Sequence, residues 1–151
     1  MSISIQTADF DVSTELANLH ASRRDVGALV SFVGTVRETN AGSTIRQMAL
    51  EHYPGMTEKS LENIVQQAKS RWEVIDVVVI HRVGVLPVGA QIVFVAVATQ
   101  HRSAAFEACE FILDFLKTAA PFWKKEIGDD GEKWVDARVS DLSALNKWEW
   151  S

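Results

Sequence analysis

Two uninterrupted apolar runs, residues 77–80 (VVVI) and 92–98 (IVFVAVA), restrict the folds open to this chain more than any other feature. A strand with one wet face alternates apolar and polar side chains. These runs do not, so the strands that carry them must be covered on both faces. Strands are therefore predicted over 74–83 and 91–99, in a sheet with helices or a second layer packed on it. Two segments can supply that cover. Thr57 is placed to cap a helix in which Leu61, Ile64, Val65, Ala68 and Trp72 recur at helical spacing. Ser103 is placed to cap another, whose Phe106, Cys109, Phe111, Ile112, Leu113, Phe115 and Leu116 give it a wide apolar face, with Lys117 near its end.

The remaining segments fit around that centre. Residues 2–7 alternate like a half-buried strand. Asp11 or Ser13 can cap a short helix through about His20. Residues 27–36 (GALVSFVGTV) read as a strand in which Gly34 marks a bulge or a close approach to the backbone. The polar segment 37–44 (RETNAGST) reads as a loop, mobile without a ligand. A strand over 45–53 ends at Pro54-Gly55, and VGVLPVG (83–89) reads as a connection. Strands over 123–127 and 133–139 flank the turn-rich GDDGE. A tail from about residue 141 is a helix or a docking segment. With no repeat and no linker, one domain is expected over residues 1–151, of α+β or α/β type with a mixed sheet and covering helices.

Charge narrows the function. A net charge of −5 argues against general nucleic-acid binding. No apolar run approaches a membrane span, and the N-terminus lacks the layout of a secretion signal, so a cytoplasmic setting is the default expectation. The lone Cys109 allows no internal disulfide, and at a core-facing position it makes a poor nucleophile. No standard nucleophile elbow, phosphate loop, dinucleotide fingerprint or zinc-protease motif occurs. What stands out in an acidic chain is a local excess of cations: His101-Arg102 after the second apolar strand, Lys117 late in the following helix, and Lys124-Lys125 beyond Pro121. A helix and the segments flanking it can bring His101, Arg102, Lys117 and Lys124 into one region. Each also has an ordinary explanation. Lys117 complements a helix dipole, and the paired lysines protect a sheet edge. Arg37 and Arg138 suit either a phosphate clamp or a salt bridge, and His81-Arg82 reads as structural. Taken alone, these residues support an anion pocket with one or two lysines.

Five strings carry more information: FVGTVR (32–37), LEHYPGMTEK (50–59), VIHRVG (79–84), HRSAAFEA (101–108) and FLKTAAPFWKKE (115–126). In this order and spacing, from about Val26 to Trp148, the chain resembles the family of large, catalytic subunits of molybdopterin synthase. The resemblance implies an α/β hammerhead fold with an added small antiparallel β subdomain. It also implies sulfur transfer from the thiocarboxylated Gly-Gly end of a small ubiquitin-like carrier subunit to cyclic pyranopterin monophosphate (precursor Z), forming the dithiolene of molybdopterin. The expected assembly is a homodimer of large subunits with a carrier at each end, a heterotetramer with no resident cofactor or metal.

Carried over by position, the resemblance implies catalytic roles for Lys117 and Lys124. It implies substrate binding by Arg37, His101, Arg102 and Arg138, the last from either the same subunit or its partner across the dimer. A sulfur donor outside the chain suits a sequence without a reactive cysteine, and a cyclic phosphate and a carrier tail are both anions. Two other readings remain: a non-enzymatic module that receives a ubiquitin-like tail or a phosphorylated ligand, and a carrier-independent acyltransferase using Lys117.

Overall fold

The computed structural model describes residues 1–40, 42–135 and 143–148. In chain order the elements are β1 (Ser2–Gln6), α1 (Val12–His20), β2 (Ala28–Thr35), β3 (Thr39–Asn40), β4 (Ser43–His52) and α2 (Met56–Arg71). There follow β5 (Val74–Arg82), β6 (Gly84–Pro87), β7 (Gln91–Thr99), α3 (Arg102–Ala119), β8 (Phe122–Gly128), β9 (Gly131–Val135) and a 3-10 turn, Leu145–Trp148.

The two apolar runs lie side by side as β5 and β7, antiparallel with Val79 opposite Val95, inside a sheet of order β1-β5-β7-β2. β1 runs parallel to β5 and β2 antiparallel to β7, so the sheet is mixed, as expected. Residues 92–99 are buried throughout. On one face Val93, Val95 and Val97 join the apolar stripes of α2 and α3; on the other, Phe94, Ala96 and Ala98 pack with Phe10 and Leu19 of the α1 region. Gly34 behaves as predicted. The β2–β7 register shifts between Gly34 and Thr35, and a Cβ at Gly34 would come within 2.8 Å of Val93 Cγ1.

A second sheet is antiparallel throughout, the small β subdomain that the resemblance implies. Its hub is β4, paired with β8 on one edge and with β6 and β3 on the other, while β9 extends β8. Two expectations are corrected here. The segment 37–44 is not all loop, since β3 folds back on the start of β4. The connection 83–89 contains β6, whose Gly84 and Pro87 sit at the two ends of the strand rather than inside it. Strands of two and four residues are too short to show an alternation.

One helix start is as expected and two differ. Asp11 caps α1, its Oδ1 accepting the Thr14 amide at 2.9 Å. The α2 cap is Gly55, at φ +86°, with the Glu58 carboxylate accepting the Gly55 amide at 3.2 Å; Thr57 lies inside the first turn. The α3 cap is His101 rather than Ser103, and the His101 carbonyl accepts from Thr99 Oγ1.

The turn Leu145–Trp148 docks onto the helices. Trp148 packs edge-on against Trp72 and Phe111 and donates its indole N–H to Asp114 Oδ2 at 2.8 Å. Lys147 pairs with Glu110 and Asp114. So Trp148 belongs to the core, whereas Trp123 and Trp134 are 46% and 54% exposed. Arg138, the outer part of the strand expected over 133–139, and Trp150 lie outside the described residues. No helix among the described residues is long and apolar enough to cross a membrane.

Candidate active site

α3 follows β7 directly and packs back along it, with Cys109 Sγ 3.9 Å from the Val95 carbonyl, each near the middle of its element. Opposite ends of the helix therefore overlie opposite ends of the strand. His101 and Arg102 lie where β7 ends. Lys117, fifteen residues on, lies about 22 Å away at the helical rise, toward the start of β7. The expectation that one helix and its flanks gather all four cations thus fails within a single chain. A stiff helix of this length holds its ends apart.

Arg37 belongs to the Lys117 end. The Val36 amide donates to the Ala90 carbonyl at 3.0 Å and the Gly89 amide to the Val36 carbonyl at 2.9 Å, so the chain passes Arg37 beside the start of β7. Lys124 is at this end too. Phe122, two residues before it, stacks on His81 with ring centroids 3.8 Å apart and planes 16° apart, and His81 pairs with Val93 near the start of β7. Arg37, Lys117 and Lys124 are thereby associated with one end of the central sheet, with His101-Arg102 at the other. Among the described residues, no carboxylate lies within ion-pairing distance of Arg37, His101, Arg102 or Lys117.

Strand pairing separates the neighbouring lysines. Lys124 lies opposite Leu50, which is 1% exposed, so its side chain leaves β8 on the inner face, as does that of the buried Glu126. Lys125 leaves on the outer face, opposite Trp134, with its ammonium 5.0 Å from that ring's centroid and 3.3 Å from Glu132 Oε2. Lys125 is thus held by an aromatic ring and a carboxylate on that outer face.

Two buried polar side chains, expected to be structural (His81) and a helix cap (Thr57), instead meet the Pro121-Phe122 segment just before Lys124. His81 is 2% exposed. Burial pulls its pKa down to about 4, against the opposing effect of a hydrogen bond to the Arg82 carbonyl, and the Lys124 and His52 charges lower it further. Its Nδ1 is 2.8 Å from that carbonyl, which can only accept, so Nδ1 carries the proton of the neutral ring. The other is Thr57, fully buried, whose hydroxyl donates to the Pro121 carbonyl at 2.9 Å. Both lie in strings that carry the resemblance, VIHRVG and LEHYPGMTEK. That was the available signal, but no local pattern showed that they meet at Pro121-Phe122. Cys109 is as expected: burial, with a smaller effect from Glu110, pushes its thiol up to about 12. Among the described residues there is no group of three His, Cys, Asp or Glu side chains placed to hold a metal.

Comparison with known proteins agrees with this framework. The family model described as MoaE protein matches residues 5–119. A molybdopterin synthase catalytic subunit from Ralstonia nicotianae is 59% identical over 146 residues, 97% of this chain and 83% of that protein. One from Pseudomonas aeruginosa is 50% identical over 149 residues, 99% of each chain. The solved structure of a molybdopterin biosynthesis MoaE protein from Burkholderia ambifaria superposes with a TM-score of 0.84 at 53% identity, covering 99% of both chains. With its mixed sheet, its antiparallel subdomain and these similarities along nearly its full length, the chain belongs to the MoaE family of molybdopterin synthase catalytic subunits.

Proposed function

We propose that this chain transfers sulfur from the thiocarboxylated C-terminus of a small ubiquitin-like carrier to cyclic pyranopterin monophosphate, building the dithiolene of molybdopterin. The observation that carries this reading, beyond family membership, is the association of Arg37, Lys117 and Lys124 with one end of the central sheet in an acidic protein. The relatives are named catalytic subunits, which implies a partner that is not catalytic, and the carrier fills that place. A thiocarboxylate keeps its sulfur best in a reducing compartment, so the reading includes a cytoplasmic setting.

In this scheme Arg37 binds the phosphate, for which a guanidinium fork is suited. Lys117, itself exposed on the last turn of α3, meets the terminal carbonyl of the carrier and stabilises the charge that develops there during sulfur transfer. Lys124, on the inner face of β8, serves the substrate side and supplies a proton to the leaving oxygen. His101 and Arg102 are too far along α3 to join them in one chain. In a two-fold dimer each copy can lend this pair, and Arg138, to the site of the other, and the symmetry completes both sites at once.

The test is turnover. The protein, mixed with thiocarboxylated carrier and the cyclic phosphate, should yield a product that oxidises to a fluorescent pterin. Lys117→Ala should lose about a hundredfold or more in rate while still dimerising and binding carrier. Carrier binding without any turnover by the wild type would favour the non-enzymatic module, and turnover without carrier would favour the acyltransferase.

A further inference from the structure

Lys117 and Lys124 are carried by different elements, so their spacing depends on the crossing from α3 to β8 through Ala120 and Pro121. Locally that crossing has one backbone hydrogen bond, from the Phe122 amide to the Ala120 carbonyl at 2.9 Å. Two groups from distant parts of the sequence hold it further. From the α2 side, Thr57 Oγ1 donates to the Pro121 carbonyl at 2.9 Å and accepts the Tyr53 amide at 2.9 Å. The hydroxyl is free for this because the Glu58 carboxylate caps the turn at Gly55. From the sheet side, the His81 ring stacks flat on Phe122, itself tied to the Arg82 carbonyl and carried by β5 in the middle of the sheet.

Both groups are buried and reach the crossing from different elements, Thr57 from α2 and His81 from β5. A buried hydroxyl that donates once and accepts once also fixes direction, because both of its partners would otherwise be left unsatisfied. We propose that Thr57 is a positioning residue for the sulfur-transfer site, its hydroxyl setting the relative placement of Lys117 and Lys124 through the Pro121 carbonyl, with the His81–Phe122 stack as the opposing jaw. This rests on the sulfur-transfer reading above. Chemistry of this kind is sensitive to such placement, since a misalignment on the order of 1 Å can cost about a hundredfold in rate.

Thr57→Val keeps the shape of the side chain and removes both hydrogen bonds, while Thr57→Ser keeps them. Measured on the complex with thiocarboxylated carrier, with rates expressed per carrier-binding dimer, Thr57→Val should lower kcat by about 10- to 100-fold. KM for the cyclic phosphate and affinity for the carrier should stay within about twofold, and Thr57→Ser should recover most of the rate. A second readout does not depend on turnover. Under limiting acetic anhydride, followed by peptide mass spectrometry, the acetylation rates of Lys117 and Lys124 should change in Thr57→Val and return in Thr57→Ser, with Lys69 and Lys133 unchanged. An unchanged kcat together with unchanged acetylation overturns the proposal, as does a loss confined to KM or one that serine fails to rescue. A wild type that makes no product, with acetylation still responding to Thr57→Val, overturns the reaction and leaves the positioning in place. If Thr57→Val does not fold, Phe122→Leu loosens the same crossing from the opposite side and is held to the same two outcomes.

Discussion

Lowering the pH from 7 to 4 should remove stability through one identifiable side chain, His81. In the folded chain its pKa is about 4, whereas in the unfolded chain it is the ordinary 6.5. Above pH 6.5 neither state binds the proton. Between pH 6.5 and 4 the unfolded chain takes it up while the folded chain refuses it, so stability falls as the pH falls. Below 4 both states are protonated and the effect levels off. The difference of about 2.5 units corresponds to about 3–4 kcal/mol at about 1.4 kcal/mol per unit, of which about 3 kcal/mol is lost by pH 4, a large part of the stability of an ordinary domain. His81→Phe gives the reference, because phenylalanine can still stack on Phe122 and carries no titrating group. Urea unfolding of both proteins at fixed protomer concentration, followed by tryptophan fluorescence from pH 7 to pH 4, isolates the contribution as the difference between the two curves. That difference should shrink by about 3 kcal/mol in favour of the variant as the pH falls, with most of the change below pH 6. Parallel curves would show that the ring is accessible to protons in the folded state, and the account of a sealed imidazole beneath Lys124 would be wrong.

Two further outcomes follow from the packing. Lys124→Ala should reduce turnover by about a hundredfold, whereas Lys125→Ala, whose side chain is already engaged with Trp134 and Glu132 on the outer face, should change it by less than about threefold; equal losses would refute the assignment by face. Phe111→Ala empties a site walled by Trp72, Phe115 and Trp148 and should cost about 3–5 kcal/mol in chemical unfolding, so a loss below about 1 kcal/mol would mean that the docked tail does not share the core.

Much of the fold could be read in the sequence because burial on both faces of β5 and β7 leaves a plain mark, an apolar run with no alternation. The α3 face and the Gly34 bulge left similarly direct marks. The structure departs from expectation where the determinant is a partner distant in sequence. β6 exists because β4 offers it an edge, and neither Gly84 nor Pro87 signals that. Thr57 looks like a helix cap from its neighbours, yet its hydroxyl is directed to Pro121, 64 residues away. For the site, residue chemistry pointed to an anion pocket, and the resemblance pointed to particular cations. The separation was legible as well, since a helix running from Ser103 to Lys117 already holds its ends apart. A motif records that His101-Arg102 and Lys117 occur together in a family, but only the helical rise shows that one chain keeps them about 22 Å apart.

That separation makes the central claim directly testable. Two copies of the chain, one Lys117→Ala and one Arg102→Ala, each with its own affinity tag, are co-expressed and the mixed dimer is isolated through both tags. If each site draws its lysines from one copy and its His-Arg pair from the other, one site of the mixed dimer is intact and the other doubly defective. Turnover with thiocarboxylated carrier should then return to about half that of the wild type, although each parent dimer is nearly inactive. A mixed dimer no more active than its parents would mean that each chain works alone, and the composite site would have to be abandoned.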